Sequence, residues 1–337
     1  MHTEVWRVDP HTPDPTVILR AAEALRGGKL VAFPTETVYG LGANALDAGA
    51  VTRIFHAKER PPTNPLIVHI ADIPSAIQLV VEWPESAEKL ARQFWPGPLT
   101  LVLPKREVIP DIVTAGGKTV ALRVPAHPVA LALIREAGVP VAAPSANRSS
   151  HISPTRAEHV LRDLGGRIEM VLNAGPTMGG LESTVLDLTS APACLLRPGL
   201  ITPSQIEEVI GPIVLARGAR DREGTALRSP GMLPRHYAPR APLECALDSG
   251  RSRVQKLCRQ GKKVGWIAFG AEDAEELPNL ITVEMPTDPR AYSKRLYAVL
   301  HALDEAGVEQ IVVALPPDTE EWLAVRDRLR RASSPPG

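Results

Sequence analysis

Cysteine is scarce in this sequence, and the few cysteines lack the spacing of a metal site or a disulfide framework. The three cysteines are Cys194, Cys245 and Cys258, and no two of them form a Cys-x-x-Cys pair. An odd number of scattered cysteines disfavours both a disulfide framework and a zinc site. This usage is typical of a protein that works in a reducing compartment.

Long apolar runs and a net charge are also missing. No segment approaches the ~18 consecutive apolar residues of a membrane-spanning helix. The acidic, proline-containing start lacks the apolar core of an export signal. We therefore expect a cytoplasmic protein without membrane contact. The 38 basic residues balance the 38 acidic ones, so binding to nucleic acid would require a local basic patch.

What is present is enough apolar material for two domains of ordinary size, since 44% of the 337 residues are hydrophobic. Up to residue 215, apolar runs alternate with segments of helical periodicity, which predicts an α/β layer fold. The predicted strands cover residues 30–33, 65–70, 99–103, 119–124, 139–143, 168–172, 184–188 and 193–197. The predicted helices cover residues 15–26, 47–60, 85–94, 128–137, 154–163 and 203–210. Their predicted N-caps include Asp14, Ser153 and Thr202, the last in a capping box with Gln205.

Residues 216–240 interrupt this pattern. They show no periodicity and hold six arginines against Asp221 and Glu223, a net charge of +4. A segment of this length without secondary structure is usually functional or a linker. Periodicity resumes over residues 241–333. There, strands are predicted at 264–269, 280–285 and 311–315, and helices at 291–306 and 319–331.

Common nucleotide-binding motifs do not explain this sequence. Residues 40–45 fit the dinucleotide pattern G-x-G-x-x-A, but six residues separate Gly40 from the preceding strand, and the next helix begins only at Asp47. That motif must leave a strand directly and open a helix, so we reject it here. The sequence contains no G-x-x-x-x-G-K-[ST], H-E-x-x-H or G-x-S-x-G motif.

Polar clusters instead follow the predicted strands, where ligands of α/β sheets gather. They share hydroxyl groups, small residues and Lys or Arg, without a nucleophile and base pair, and cover residues 34–40, 56–65, 118–125, 142–149, 180–185 and 196–199. Such a set is typical of a site that binds polyanions and acts by positioning and electrostatics. Each cluster also has a structural interpretation. Lys58 and Arg60 can complement a helix dipole, and His69 can be a core histidine. Arg123 requires a partner, which a ligand carboxylate or a protein Asp or Glu would supply.

Six segments in this order resemble a YrdC-type domain: PTETVYGLGANA, AKERPPTNPLIVHI, FWPGPLTLVL, LRVPAHPVA, APSANRSS and ESTVLDL. The segment SPGMLPRHYAP and the α/β region after it resemble the long form of the threonylcarbamoyl-AMP synthase family. The resemblance implies a twisted YrdC-like α/β catalytic domain over residues 1–215, a basic linker over 216–240 that closes on the active site, and a small Rossmann-like domain over 241–333.

The reaction implied by this resemblance is nucleotidyl transfer. L-threonine, bicarbonate and ATP, with Mg²⁺ on its phosphates, would give L-threonylcarbamoyladenylate and pyrophosphate. The product would serve the threonylcarbamoyl modification of adenosine 37 in tRNA, and the downstream threonylcarbamoyl transferase is an expected partner. Direct binding of tRNA is left open.

The resemblance also assigns residues to substrates. The threonine site falls on Thr37, His69, Arg123, Ala143 and Ser183. The ATP site falls on Arg60, Asn64, Thr119, Ser145, Ser153, Arg197 and Tyr237. Lys58 and Arg60 would stabilise the phosphates and the bicarbonate-derived carboxylate, and no protein ligand of a metal is indicated. Glu59 and Ser150 stand where the family usually has glycine. The Glu59 carboxylate would either weaken the local positive field or face solvent, and serine at position 150 would add strain if the backbone there needs positive φ.

Two other functions are compatible with parts of the sequence. An RNA-binding module of YrdC fold would use the basic linker and need neither ATP nor threonine, but the neutral charge and the lack of an aromatic stacking platform count against it. A related carbamoyl-transfer enzyme would carry a zinc-finger domain, for which this chain has no cysteine pairs.

Overall fold

Two β-sheets organise the computed structural model, which describes residues 2–216, 236–271 and 277–334. The chain divides into two compact units. Among the described residues, the first unit comprises 2–149, 154–178 and 182–216, and the second comprises the segments Ser150–Ser153 and Gly179–Leu181 together with 236–271 and 277–334. No helix in these ranges is both long enough and apolar enough to span a membrane.

The first unit holds a mixed sheet flanked by helices. Its strands are β1 (Glu4–Arg7), β2 (Val31–Pro34), β3 (Tyr39–Asn44), β4 (Ile67–His69), β5 (Leu99–Pro104), β6 (Thr119–Arg123), β7 (Val141–Ala142), β8 (Met170–Asn173), β9 (Thr184–Asp187), β10 (Cys194–Arg197) and β11 (Val214–Leu215). They lie in the order β1-β8-β2-β3-β7-β4-β6-β5-β9-β10-β11. Its helices are α1 (Pro15–Arg26), α2 (Ala48–Lys58), α3 (Ile73–Ile77), α4 (Glu85–Phe94), α5 (Pro128–Ala137), α6 (Ala157–Leu164) and α7 (Pro203–Ile210). All eight strands predicted for this region are confirmed in place, and so is the α/β fold class.

Helix caps account for most of the helix boundaries. The Asp14 side chain accepts from Thr16 N at the start of α1, and Thr202 and Gln205 form the predicted capping box of α7. The predicted cap of α6 was wrong. That helix begins at Ala157 with Arg156 at its N-cap position and no side-chain cap, so the Ser153-Pro154 pair lies in extended chain before it.

A hairpin replaces the polar loop expected after β2. Strand β3 pairs antiparallel with β2, and Gly40 and Gly42 both lie within it. A Cβ atom on Gly42 would come within 2.9 Å of both Phe33 and Val141. Close packing therefore requires glycine at this position, which agrees with rejecting the dinucleotide motif.

The central strands present different chemistry on their two faces. Side chains alternate along a strand, and in-register partners on adjacent strands share a face. Val68 and its partner Leu122 belong to the largest hydrophobic core. Ile67 and its partner Ala121 belong to a small cluster on the opposite face. The residues two positions further along these strands therefore lie on the smaller cluster's face.

The second unit is a smaller parallel α/β domain, as predicted. Its strands are β12 (Leu243–Ala246), β13 (Val264–Phe269), β14 (Leu280–Met285) and β15 (Gln310–Ala314), and its helices are α8 (Arg251–Arg259), α9 (Pro289–Glu305) and α10 (Leu323–Ala332). The order β12-β15-β13-β14 is parallel throughout. Strand β12 and helix α8 were not predicted, and the helix predicted over 319–331 begins instead as a short 3-10 turn before α10.

The two residues at usual glycine positions both adopt left-handed backbone. Glu59 has φ 52° at the end of α2, and Ser150 has φ 67°. Residues with a side chain are strained in the left-handed backbone conformation, whereas glycine is not. The Glu59 carboxylate also bonds to Arg148 and Arg167, and these two hydrogen bonds lower its pKa. Glu59 is therefore an exposed residue whose carboxylate is paired with two arginines.

Candidate functional site

Two adjacent strands place a histidine and an arginine side by side. His69 ends β4 and Arg123 ends β6, and they are register partners across the parallel β4–β6 pair. Both side chains therefore share the face of the smaller hydrophobic cluster. His69 is 2% exposed and Arg123 is 3% exposed. Ligands of α/β sheets bind at the carboxyl ends of strands, which is where this buried polar pair lies.

Arg123 makes three hydrogen bonds and keeps one nitrogen open. Its Nη2 donates to Glu36 Oε1 at 2.6 Å and to Thr37 Oγ1 at 3.1 Å. Its Nε donates to the carbonyl of Gly97 at 3.2 Å. Nη1 has no hydrogen-bond partner among the described residues. The protein carboxylate that a buried arginine requires is thus Glu36, and Nη1 remains available to a second acceptor.

His69 is buried without a well-formed hydrogen bond. Neither ring nitrogen has a geometric partner in the described part of the chain, although the backbone of Ile67 and Val141 favours the charged ring slightly. Burial, and next the charge of Arg123, lower the pKa of His69 to about 3. The ring is therefore neutral at pH 7. Buried polar atoms are nearly always paired, so these nitrogens indicate a place where a ligand or water belongs.

We expect His69 to make the protein less stable as the pH falls from 7.5 to 5. The unfolded imidazole titrates near 6.5 and the folded one near 3, so between these values only the unfolded state binds the proton. From this residue alone, the free energy of unfolding should fall by about 2 kcal/mol over that pH change. Urea unfolding of wild type and His69→Gln at both pH values measures this fall in the free energy of unfolding.

The His69→Gln variant should lose less stability than wild type on acidification, by about the same 2 kcal/mol. His56→Gln, at an exposed histidine, is the matched control. On acidification it should lose as much stability as wild type. Equal acid losses in wild type and His69→Gln would contradict a buried neutral imidazole.

Lys58 is buried against the loop that follows β7. It is 1% exposed, and its Nζ donates to the carbonyl of Ser145 at 2.5 Å and to the carbonyl of Asn147. The Ser149 amide donates back to the Lys58 carbonyl at 2.8 Å. Burial, and next the charge of Arg60, lower the pKa of Lys58 well below its usual value. The lysine therefore does more than complement a helix dipole, because it orders residues 145–149.

Arg60 and Asn64 shape the loop between α2 and β4. Arg60 Nε donates to the carbonyl of Asn64 at 3.1 Å, and Nη2 donates to the carbonyl of Pro65 at 2.8 Å. Asn64 is fully buried, yet neither polar atom of its side-chain amide has a partner among the described residues. Like His69, the Asn64 side chain is a buried hydrogen-bonding group that the described part of the chain leaves unpaired.

Ser183 and Arg197 form another buried polar group beside β9. The Ser183 and Thr100 hydroxyls lie 2.7 Å apart. Arg197 Nη2 donates to Ser183 Oγ at 3.1 Å and its Nε to the Ser183 carbonyl at 3.0 Å. Ser183 is fully buried. The arginine thus fixes the serine in front of β9, where its hydroxyl faces Thr100.

The remaining predicted site residues of the first unit lie in or directly beside its central strands. The Ala143 amide donates to the Ile67 carbonyl at 2.9 Å directly after β7, and Ser145 forms an isolated bridge with Gly40. Thr119 begins β6 on the same face as Arg123. The two residues are four steps apart along the strand, about 13 Å, so Thr119 is not a direct neighbour of the arginine.

Two predicted ATP-site residues belong to the second unit. The Ser153 carbonyl lies 3.2 Å from His301 Nε2. Tyr237 is 1% exposed, stacks on Tyr297 at 5.9 Å between ring centroids, and lies 4.9 Å from the guanidinium carbon of Arg328. Of the predicted linker, residues 217–235 lie outside the described residues.

Sequence reasoning missed Glu36 and Thr100 as members of these groups. Glu36 had one available signal: a buried arginine requires an acid, and Glu36 stands beside Thr37 in the first polar cluster. Thr100 had no such signal in the sequence, because it lies within an apolar strand. In the described ranges, no group of three or more His, Cys, Asp and Glu residues is placed to hold a metal ion.

Family comparisons cover both units. The Sua5/YciO/YrdC family model, described as "Telomere recombination", matches residues 23–199, and the model "Threonylcarbamoyl-AMP synthase, C-terminal domain" matches residues 201–334. A threonylcarbamoyl-AMP synthase of Pyrococcus abyssi is 49% identical over 321 residues, which is 93% of each chain. This chain belongs to the threonylcarbamoyl-AMP synthase family.

Other relatives agree with that assignment. The threonylcarbamoyl-AMP synthase of Bacillus subtilis is 46% identical over 99% of this chain and 98% of its own. The crystal structure of P. abyssi Sua5 complexed with L-threonine superposes with a TM-score of 0.90 at 44% identity, covering 98% of each chain. The fold therefore matches that of threonylcarbamoyl-AMP synthases, and the chain is an enzyme of the nucleotidyltransferase type.

Proposed function

We propose that this enzyme joins L-threonine, bicarbonate and ATP into L-threonylcarbamoyladenylate, releases pyrophosphate, and supplies the threonylcarbamoyl group for adenosine 37 of tRNA. The observation that carries the proposal is the buried pair of Arg123 and His69. The guanidinium has one nitrogen, and the neutral imidazole both of its nitrogens, without a hydrogen-bond partner in the part of the chain that the structure describes. Family membership supports the same activity. The product would pass to a threonylcarbamoyl transferase.

The threonine site in this proposal surrounds Arg123. Its open Nη1 receives the threonine carboxylate, because guanidinium binds carboxylate by charge-assisted hydrogen bonds. Thr37 and His69 offer polar atoms beside it, and Ser183 offers a hydroxyl for the amino acid. Ala143, whose side chain is a single methyl group, leaves room for the ligand.

The phosphate site in this proposal is built on Lys58 and Arg60. Their charges stabilise the ATP phosphates and the bicarbonate-derived carboxylate, and the unsatisfied Asn64 amide adds two hydrogen-bonding groups. The remaining ATP contacts are assigned to Thr119, Ser145, Ser153, Arg197 and Tyr237. These residues supply hydroxyl, guanidinium and aromatic groups, which suit phosphate, ribose and base.

The chemistry proceeds in two steps. The neutral threonine amine attacks the carbon of carbon dioxide, which forms the nitrogen–carbon bond and releases one proton. With bicarbonate, the same bond forms and water leaves instead. A carbamate oxygen then attacks the α-phosphorus in line, and the bond from that phosphorus to the leaving pyrophosphate oxygen breaks. No covalent enzyme intermediate is involved, so the protein acts by positioning and charge.

Mg²⁺ fits this proposal as a partner of the nucleotide. The polar groups assigned to ATP are amines, guanidinium groups, hydroxyls and an amide, which bind phosphate oxygens rather than a metal. Mg²⁺ commonly keeps several waters and binds substrate phosphates. Bound there, it would neutralise charge on the leaving pyrophosphate.

Pyrophosphate release from ATP tests the function. With Mg²⁺ present, release should require both L-threonine and bicarbonate, and omission of either should reduce it to background. Chelation of Mg²⁺ with EDTA should stop it, and added Mg²⁺ should restore it. Release with bicarbonate alone would contradict threonine as the acceptor. Salt-sensitive RNA binding by folded protein, without release in any mixture, would favour the binding-module alternative.

A further inference from the structure

Glu36 is held at both of its carboxylate oxygens. Oε1 accepts from Arg123 Nη2 at 2.6 Å, and Oε2 accepts from the backbone amide of Ala126 at 3.0 Å. The side chain is only 17% exposed. Two contacts in a mostly buried position fix the carboxylate, so Glu36 remains beside Arg123 when a ligand arrives.

The ion pair of Arg123 and Glu36 carries no net charge. His69 is also neutral. Burial lowers the pKa of His127, which stands near enough for Glu36 to oppose that shift. A neutral ion pair is a poor receptor for a lone carboxylate, because an incoming anion meets Glu36 as well as Arg123. It suits a ligand that brings both charges.

We propose that Glu36 binds the α-ammonium group of the amino acid substrate while Arg123 Nη1 binds its carboxylate, so that the pair selects a zwitterion. This inference rests on the proposed function and adds a residue to its threonine site. An acid that lacks the amine would place its carboxylate near Glu36 without compensation. Glu36 would therefore exclude hydroxy acids that cannot form the carbamate, and would hold the reacting nitrogen at one end of the pocket.

Direct binding tests the proposal without requiring turnover. Isothermal titration of the full-length protein compares L-threonine with (R)-3-hydroxybutanoate, which is threonine without its amine. Wild type should bind threonine at least about 100-fold more tightly, since the ammonium contributes a charge-assisted hydrogen bond and relieves the repulsion. If wild type binds the two ligands within about threefold of each other, the proposal is overturned before any variant is made.

The variant Glu36→Gln keeps the shape and removes the charge. We expect its threonine affinity to fall about 10- to 100-fold and its affinity for (R)-3-hydroxybutanoate to rise, so that selectivity collapses. Glu36→Asp keeps the charge and should retain selectivity at reduced affinity. Glu85→Gln, at an exposed glutamate, is the matched control and should behave like wild type.

Two results would overturn the inference in different ways. Unchanged selectivity in Glu36→Gln would show that another group receives the ammonium. Tighter threonine binding by Glu36→Gln would show that Glu36 competes with the substrate carboxylate for Arg123. If wild type binds threonine selectively but releases no pyrophosphate, the proposed function fails while the role of Glu36 stands.

Discussion

Arg123→Gln should abolish threonine-dependent pyrophosphate release at ordinary substrate concentrations, with the KM for L-threonine raised at least about 100-fold. The guanidinium is the group to which the threonine carboxylate is assigned in the proposed site, and glutamine has no charge to replace it. The same change should destabilise the first unit by about 3–5 kcal/mol, because Glu36 then remains mostly buried without its partner. Steady-state kinetics and urea unfolding measure the two effects.

A double variant separates binding from folding. Arg123→Gln combined with Glu36→Gln removes both charges, so most of the lost stability should return while activity does not. Such non-additivity is expected for residues in direct contact. If the double variant is no more stable than Arg123→Gln alone, the ion pair is not the cause of the destabilisation. If either variant keeps a normal KM for threonine, the carboxylate is bound elsewhere.

Lys58→Ala should reduce kcat about 100- to 1,000-fold while leaving threonine affinity within about threefold. The proposed role of the ammonium is to stabilise charge as it moves onto pyrophosphate, which is felt in the transition state rather than in amino acid binding. Rapid-quench measurement of product and titration with L-threonine give the two quantities separately. Lys89→Ala, at a half-exposed lysine on α4, is the control.

A structural role for Lys58 predicts a different result. Its hydrogen bonds to the carbonyls of Ser145 and Asn147 order the loop after β7. If loop order were its whole contribution, threonine affinity and stability would fall along with kcat. Lys58→Arg retains charge but not the compact ammonium geometry, so it should recover part of kcat only if charge matters. Intact turnover in Lys58→Ala would end its assignment as a catalytic group.

Local signals in the sequence predicted most of the elements. Asp14 and Thr202 cap their helices through side chains only a few residues from the amides they bind, so sequence alone reveals them. Ser153 resembled such a cap, but α6 begins three residues after Pro154. Strand β3 was missed because its glycines suggest a loop. In the structure, tight packing against Phe33 and Val141 is the reason that glycine stands in this strand.

The candidate site was predictable only in part, because its contacts are non-local. The sequence singled out Arg123 as an arginine that needs a partner, whereas His69 had the default interpretation of a core histidine and entered the site only through the family resemblance. Glu36 lies 87 residues from Arg123 along the chain, and no spacing rule connects them. The burial of His69 and Asn64 without partners among residues 2–216, 236–271 and 277–334 likewise depends on how several strands meet.

The position of β1 has a consequence for how the chain folds during synthesis. Strand β1 pairs with β8, and Thr3 Oγ1 donates to the carbonyl of Ile168, 165 residues later. Strand β2 pairs with the same β8. A ribosome adds about 5–20 residues per second, so roughly 10 to 30 seconds pass between the emergence of β1 and that of its partner. During that interval the first strand has no sheet to join, and this edge of the domain is completed only after most of its core has been translated.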